Sequence, residues 1–343
     1  MGIVAVIVGV VGAAWVLESA IRTVVIPRPE RVWLTTAAFD LARRLSRRIV
    51  DRVDSPSRRH RILGAFAPTV LISLPLLWSV GLIAAFSAIY WGLDAGSVSE
   101  SISLSGSSLT TLGFVGAPTL TIRLVAIAQA LIGLAIVALM ISFLPTIYST
   151  FSRREVSVGR LTTRAGDPPN PVEFVSRLDT IGRLDLIGER WAEWEDWFVE
   201  LGETHTTFPA LVYFRSARPG RSWVTAAEAA LDTAALVTAM GLVPPTGQAD
   251  TMIRSGYLAL QSVAEFYRIP AGATSTDTAL EELTISRADF DRLLDALVAN
   301  GVRLDVDRDT GWEAFSGWRV NYDHAISGLA DLVYDVPTHW TQY

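Results

Sequence analysis

The chain of 343 residues has no cysteine, and its 29 basic residues are all arginine. The first absence excludes disulfides and thiolate metal sites and removes any redox clue to compartment. The second leaves every basic group permanently charged, with a planar donor fork. Charged residues are scarce at 19% while hydrophobic ones reach 50%, a mixture that points to a membrane region joined to a water-exposed one. Catalytic signatures are missing too. There is no nucleophile with a base, no Walker loop, no paired-carboxylate motif and no Gly-x-Gly-x-x-Gly after a strand, so the chain is not read as an enzyme. His205, His324 and His339 lack metal-ligand spacing and read as surface or satisfied core histidines.

What is present is unevenly spread. Residues 1–150 hold 12 arginines against 7 carboxylates and residues 151–343 hold 17 against 28, giving +5 and −11. Three apolar spans, at about 3–25, 63–92 and 122–147, reach the ~20 residues that cross a bilayer. The first lacks a basic n-region and a small-residue cleavage site, so it is expected to be a retained helix. Arginines crowd the loop between the first two spans, from Arg28 and Arg31 through Arg43, Arg44, Arg47 and Arg48 to Arg61, and follow the third at Arg153, Arg154, Arg160 and Arg164. Such flanks stay in the cytoplasm. This places the N-terminus and the loop at 94–121 outside a plasma membrane, and everything after Ser149 inside.

Glu18 and Arg22, four apart, share a helix face near the inner end of the first span, where they can pair. Leu34, Leu41, Leu45, Ile49 and Val53 recur at helical spacing opposite the arginines. That amphipathic helix either lies on anionic inner-leaflet lipid or packs on the water-exposed region. Because these arginines sit between two spans, no nucleic-acid partner is implied.

Between the second and third spans runs Ser107-Ser108-Leu109-Thr110-Thr111-Leu112-Gly113-Phe114-Val115-Gly116. A polar, Gly-containing stretch at membrane depth is tolerated only where it is buried in protein or lines a watery path. Residues 97–109 suit a short helix entering from outside, with Glu100 in its first turn where the dipole favours an acid. An extended Thr111–Phe114 stretch after it can offer carbonyl oxygens in place of an ion's hydration shell.

Here the chain resembles the two-helix-pore potassium channels of the tetrameric cation channel superfamily. Their signature Thr-Thr-Val-Gly-Tyr-Gly-Asp is matched by Thr110-Thr111-Leu112-Gly113-Phe114-Val115-Gly116, and Arg123-Leu124-Val125-Ala126 leads to Gly133, similar to the family's inner-helix hinge glycine. The resemblance covers roughly residues 63–154. It implies potassium held by backbone carbonyls of Thr111, Leu112, Gly113 and Phe114, with Thr110 and Val115 flanking the filter. Val115 and Gly116 stand where the family has its second glycine and its aspartate. A β-branched residue reaches glycine's backbone angles only at a cost, so an outer ion site is expected to be lost or widened and selectivity reduced. The single-glycine turn is also similar to the pore loops of Trk/Ktr potassium transporters. Those chains supply four loops each and this one supplies one, which implies a homotetramer.

Gly133 costs about 1 kcal/mol relative to Ala in a helix, so it marks either a hinge or a close helix approach. Pro145 is expected to kink or end the inner helix at Phe143-Leu144, with Ile141, Leu144 and Pro145 at a gate spanning residues 141–148 that closes by dewetting.

Residues 162–171 read as a linker. Beyond them Trp191, Trp194, Phe198 and Leu201 line one face of a helix expected over 172–202, with helical patterns at 223–241, 248–268, 278–300 and 313–334. An Ala-rich face at Ala226, Ala227, Ala229, Ala230, Ala234 and Ala235 permits close packing. Asp305, Asp307 and Asp309 suggest a calcium loop, but the EF-hand's glycine and final glutamate are here Thr310 and Ser316, so a solvated turn is the simpler reading.

The expectation is therefore an all-α membrane protein. Residues 1–62 give an extra transmembrane helix and an amphipathic helix; 63–150 give a pore domain of outer helix, re-entrant pore helix, filter and inner helix; 165–343 give an acidic, all-helical cytoplasmic domain. Function is expected to be gated potassium conduction without a cofactor. The alternative is a non-conducting membrane sensor whose helical domain binds a ligand or partner.

Overall fold

The computed structural model describes residues 2–26, 32–218, 220–270 and 280–334; Arg28, Arg31 and His339 fall outside them. The described residues form helices and turns, with no strand among them. The chain divides into two compact units, Met1–Ser149 and Thr150–Tyr343.

The first unit holds α1 (Gly2–Val24), α2 (Trp33–Val50), α3 (Pro56–Gly92), α4 (Val98–Leu109) and the start of α5 (Leu120–Ala165). α1, α3 and α5 are long and apolar enough to cross a membrane. α1 packs on α3 through small residues: a Cβ on Gly9 would sit 2.5 Å from the Ala85 carbonyl oxygen. Such backbone approach substitutes for the hydrophobic drive that lipid cannot supply. α2 lays Phe39 edge-on to Phe66 of α3, with ring centroids 6.0 Å apart, and leaves Leu41, Leu45 and Ile49 exposed. Glu18 pairs with Arg22 at 2.7 Å.

α5 runs on through Pro145 without ending, contrary to the expected stop at Phe143-Leu144. Proline frees the Ile141 carbonyl of its helical donor, and the helix continues through that one missing bond. Nearby, Ser142 Oγ donates to the Leu139 carbonyl at 2.9 Å and Thr146 Oγ1 to that of Ser142 at 3.0 Å. The helix consumes the first part of the expected linker, which shrinks to 166–170.

The second unit comprises the rest of α5, then α6 (Pro171–Thr180), α7 (Ile187–Thr207), α8 (Trp223–Ala239), α9 (Gly247–Phe266), α10 (Arg287–Ala299), α11 (Arg308–Arg319) and α12 (Asp323–Val333). The single helix expected over 172–202 is two, broken where Gly182 takes a left-handed φ of +63°. The pattern at 313–334 likewise divides at residues 320–322. α8 is buried all round and touches α6, α7, α9, α11 and α12; its alanines let five neighbours approach one axis. Trp191, Trp194, Phe198 and Leu201 are buried as their spacing predicts, and Phe174 of α6 meets Trp194 at 5.3 Å.

Candidate ion-conduction site

Asp94 (φ +60°) and Gly96 (φ +126°) turn the chain out of α3, and Ser97 then starts α4 with a capping box. The Glu100 N–H donates to Ser97 Oγ, and the Ser97 N–H donates to Glu100 Oε2 at 2.7 Å. Reciprocal capping of this kind satisfies two donors that a helix start leaves open.

Three polar side chains tie α4 between α3 and α5. Tyr90 OH donates to Gln129 Oε1 at 2.9 Å, Gln129 Nε2 donates to Ser105 Oγ at 2.7 Å, and Ser105 Oγ donates to the Ile83 carbonyl at 3.0 Å. All three residues are buried. Polar side chains in apolar helices are costly unless bonded to one another, so this chain of bonds fixes the rotation of α4. A Cβ on Gly133 would fall 2.2 Å from the Leu109 carbonyl oxygen, so glycine is required at that position for the end of α4 to reach α5. The sequence alone left hinge and close approach open; the geometry supplies the close approach.

α4 ends in a Schellman turn. The Thr111 N–H donates to the Ser108 carbonyl at 3.1 Å and the Leu112 N–H to that of Ser107 at 3.0 Å, with Thr111 left-handed at φ +57°. That pairing is the usual close of a helix, ordinarily made with glycine. The expected extended run from Thr111 is therefore corrected: its first residue belongs to the helix cap. Gly113 is left-handed again at +70°, while Leu112 between them is not. Val115 stays out of the left-handed region, so the anticipated strain there does not arise; its N–H donates to the buried Ser107 Oγ at 3.2 Å.

Thr110, Thr111 and Gly113 are exposed, and the apolar Leu112 and Phe114 are 70% and 67% exposed. Beyond them α5 displays Leu120, Leu124, Ile127, Leu131, Leu134 and Ile141, all exposed, at steps of four and three with Ala138 completing the row. Ile141 and Pro145 lie on this row, whereas Leu144 is half-buried beside it.

The remaining candidates are spent locally. Asp307 caps α11, accepting from the Asp309 and Thr310 N–H groups at 2.9 and 3.1 Å, and Asp309 pairs with Arg287 at 2.6 Å. Asp305 has no comparable partner in the turn, and among the described residues no cluster of acids and histidines is placed to hold a metal. His205 is buried, bonded through Nδ1 to the Leu201 carbonyl at 2.9 Å and through Nε2 to Arg154 at 3.1 Å. Burial, and then the Arg154 charge, hold its pKa well below the ordinary value. His324 is exposed.

Sequence reasoning missed the Tyr90–Gln129–Ser105 chain, although a glutamine inside an apolar span was its signal. It also missed a buried ionic cluster in which Arg319 holds Asp232, Glu228 (2.8 Å) and Asp323 (2.7 Å), with Tyr322 OH donating to Asp232 at 2.8 Å. No family model, curated protein or solved structure matches the chain.

Proposed function

We propose that the chain is one subunit of a gated cation channel, a homotetramer of the plasma membrane that conducts potassium with reduced selectivity. The observation that carries this reading is the 110–116 segment. It follows a short capped helix between two membrane-length helices, alternates handedness at Thr111 and Gly113, and lies bare in the single chain. Such backbone at membrane depth needs protein or water around it, and other copies supply both. One segment per chain demands several chains about an axis, and the resemblance sets the number at four.

The exposed row on α5 has the 3.5-residue period on which helices pack. In the assembly it is the contact between inner helices, and Ile141 brings an apolar constriction to its inner end. Carbonyls of Thr111, Leu112, Gly113 and Phe114 replace the ion's water. Because Val115 adds no further left-handed step, fewer sites stand in line and discrimination falls. The N-terminus is outside, the C-terminal unit is cytoplasmic, and α2 rests Leu41, Leu45 and Ile49 in an anionic leaflet.

Reversal potentials of the purified protein in planar bilayers under opposed potassium and sodium gradients test this. The expected reversal lies toward the potassium potential, and Gly113→Val, which forces a β-branched residue into a left-handed position, abolishes the current. A reversal at the chloride potential would overturn cation conduction, and a silent dimer would favour a sensor instead.

A further inference from the structure

The C-terminal unit contains a cleft of about 840 Å³ bounded by α6, the turn at 181–186, Arg164 at the end of α5, Arg190 of α7 and Asn300 after α10. Its volume lies within the ~300–1,000 Å³ typical of small-molecule sites. Val172, Phe174 and Leu178 of α6 give it an apolar wall. Four arginines, Arg164, Arg177, Arg183 and Arg190, line it against one carboxylate, Glu173. Residues 151–343 carry 28 acidic side chains against 17 basic ones, so this concentration of positive charge runs against the character of the whole unit.

Arg164 and Arg190 converge on the carboxylate of Glu193, at 3.1 and 2.5 Å, and Arg190 also holds Glu189 at 2.9 Å. Arg177 is committed to Glu173 and to the Thr163 carbonyl at 2.8 Å. Arg183 is exposed, and its guanidinium makes no hydrogen bond or ion pair among the described residues. One fork is therefore uncommitted beside two that already share an anion.

We infer that this cleft binds a soluble organic phosphate, with the phosphate on Arg183 and the Arg164–Arg190 pair and an apolar or aromatic body against Val172, Phe174 and Leu178. A phosphate monoester carries about −1.5 to −2 charge and three acceptor oxygens, enough for several planar forks at once. A carboxylate offers half that charge, no more than the Glu193 carboxylate it would have to replace on the Arg164–Arg190 pair. The cleft's volume suits one compact body, and the two chains of a diacyl lipid would be left outside it. The site requires nothing of the conduction reading, because its occupancy is measured directly.

The test uses the full chain in non-ionic detergent and follows phosphorus NMR line broadening with phenyl phosphate as probe. Saturable binding is expected, with inorganic phosphate, which lacks the body, at least about tenfold weaker, a difference of about 1.4 kcal/mol. Arg183→Glu is expected to weaken phenyl phosphate at least about tenfold; the exposed Arg218→Glu, outside the cleft, leaves it unchanged. Thr180→Trp, which fills the cleft from α6, abolishes binding. Absence of saturable broadening, equal loss in Arg183→Glu and Arg218→Glu, or binding only to phosphatidic acid vesicles and not to phenyl phosphate would each overturn the proposal.

Discussion

Inside the first unit, helices are joined by neutral groups, Tyr90 to Gln129 to Ser105, whereas inside the second Arg319 gathers Glu228, Asp232 and Asp323. The outsides differ in the opposite sense. α5 shows water-averse Leu120, Leu124 and Leu131 in its membrane-length part, while α8 hides every residue from Trp223 to Leu236. Hydrocarbon makes charge expensive and exposed leucine free, so the membrane unit spends hydroxyls and amides in its joints and leaves apolar rows for lipid or other copies. A water-facing unit can bury charge when each charge is held, and it must cover its apolar faces itself.

The sharpest way to break this comparison is to remove the one cation in the buried cluster. Arg319→Met strands three buried carboxylates and is expected to destabilise the C-terminal unit by about 3–5 kcal/mol, read as faster hydrogen exchange of α8 and α11 amides in the full chain. Adding Glu228→Gln and Asp232→Asn to it is expected to recover more than half of the loss. Wild-type exchange in Arg319→Met would show that the cluster does not hold these helices.

Three carboxylates against one guanidinium leave surplus negative charge, and the protein answers by holding a proton. Burial pushes the Asp232 pKa up to about 7, the Arg319 charge opposes it, and Glu228 adds to the rise. Between about pH 4 and 7 the folded chain keeps a proton that the unfolded chain has lost, so this group's stability contribution falls by about 1.4 kcal/mol per unit as pH rises and is gone above 7. His205 has the reverse sign. Kept neutral when folded, it costs stability as pH falls below the ordinary value near 6.5. The two slopes oppose each other as pH falls below about 6.5. Asp232→Asn is expected to unmask destabilisation on acidification and His205→Gln to unmask destabilisation on alkalinisation, measured as exchange midpoints across that range. Parallel profiles in both variants would sink the assignment.

Much of this was legible along the chain because it is periodic. The three long helices, the Ser97 start of α4, and the Trp191, Trp194, Phe198 and Leu201 stripe follow from spacing and capping alone. Three features were not. Thr111 closes a Schellman turn usually made with glycine, because the flanking hydrogen bonds outweigh its local preference. Pro145 reads as a stop, yet one missing backbone bond, at the Ile141 carbonyl, does not end a helix of 46 residues. Glu228 and Asp232, like Arg319 and Asp323, stand four apart and so mark charged faces, but Arg319 meets Glu228 across 91 residues, a distance that helical periodicity does not span. The proposed conducting role rests on the 110–116 motif and on copies that a single chain does not contain.

Glycines sharpen the contrast within the membrane unit. Gly133→Val places carbon against the Leu109 carbonyl oxygen, and overpacking of this kind costs about 1–3 kcal/mol. Gly106→Ala on α4 meets open space in the single chain, and alanine favours a helix by about 1 kcal/mol. Native-gel tetramer yield is therefore expected to fall for the first and hold or rise for the second. Equal yields would mean that α4 and α5 do not need their close approach.

The smallest change expected to alter function is Ser107→Ala. Ser107 contributes through two atoms: its carbonyl accepts the Leu112 N–H and closes the helix, while its buried hydroxyl accepts the Val115 N–H at 3.2 Å. Alanine keeps the first and deletes the second, a loss of about 0.5–1.5 kcal/mol confined to the outer end of the segment. Conduction should survive, because Thr111 and Gly113 keep their conformations. The potassium-to-sodium permeability ratio should drop severalfold as Val115 swings free. Loss of all current would place the critical carbonyls nearer Val115 than Thr111, and an unchanged ratio would mean that the segment beyond Phe114 takes no part in choosing the ion.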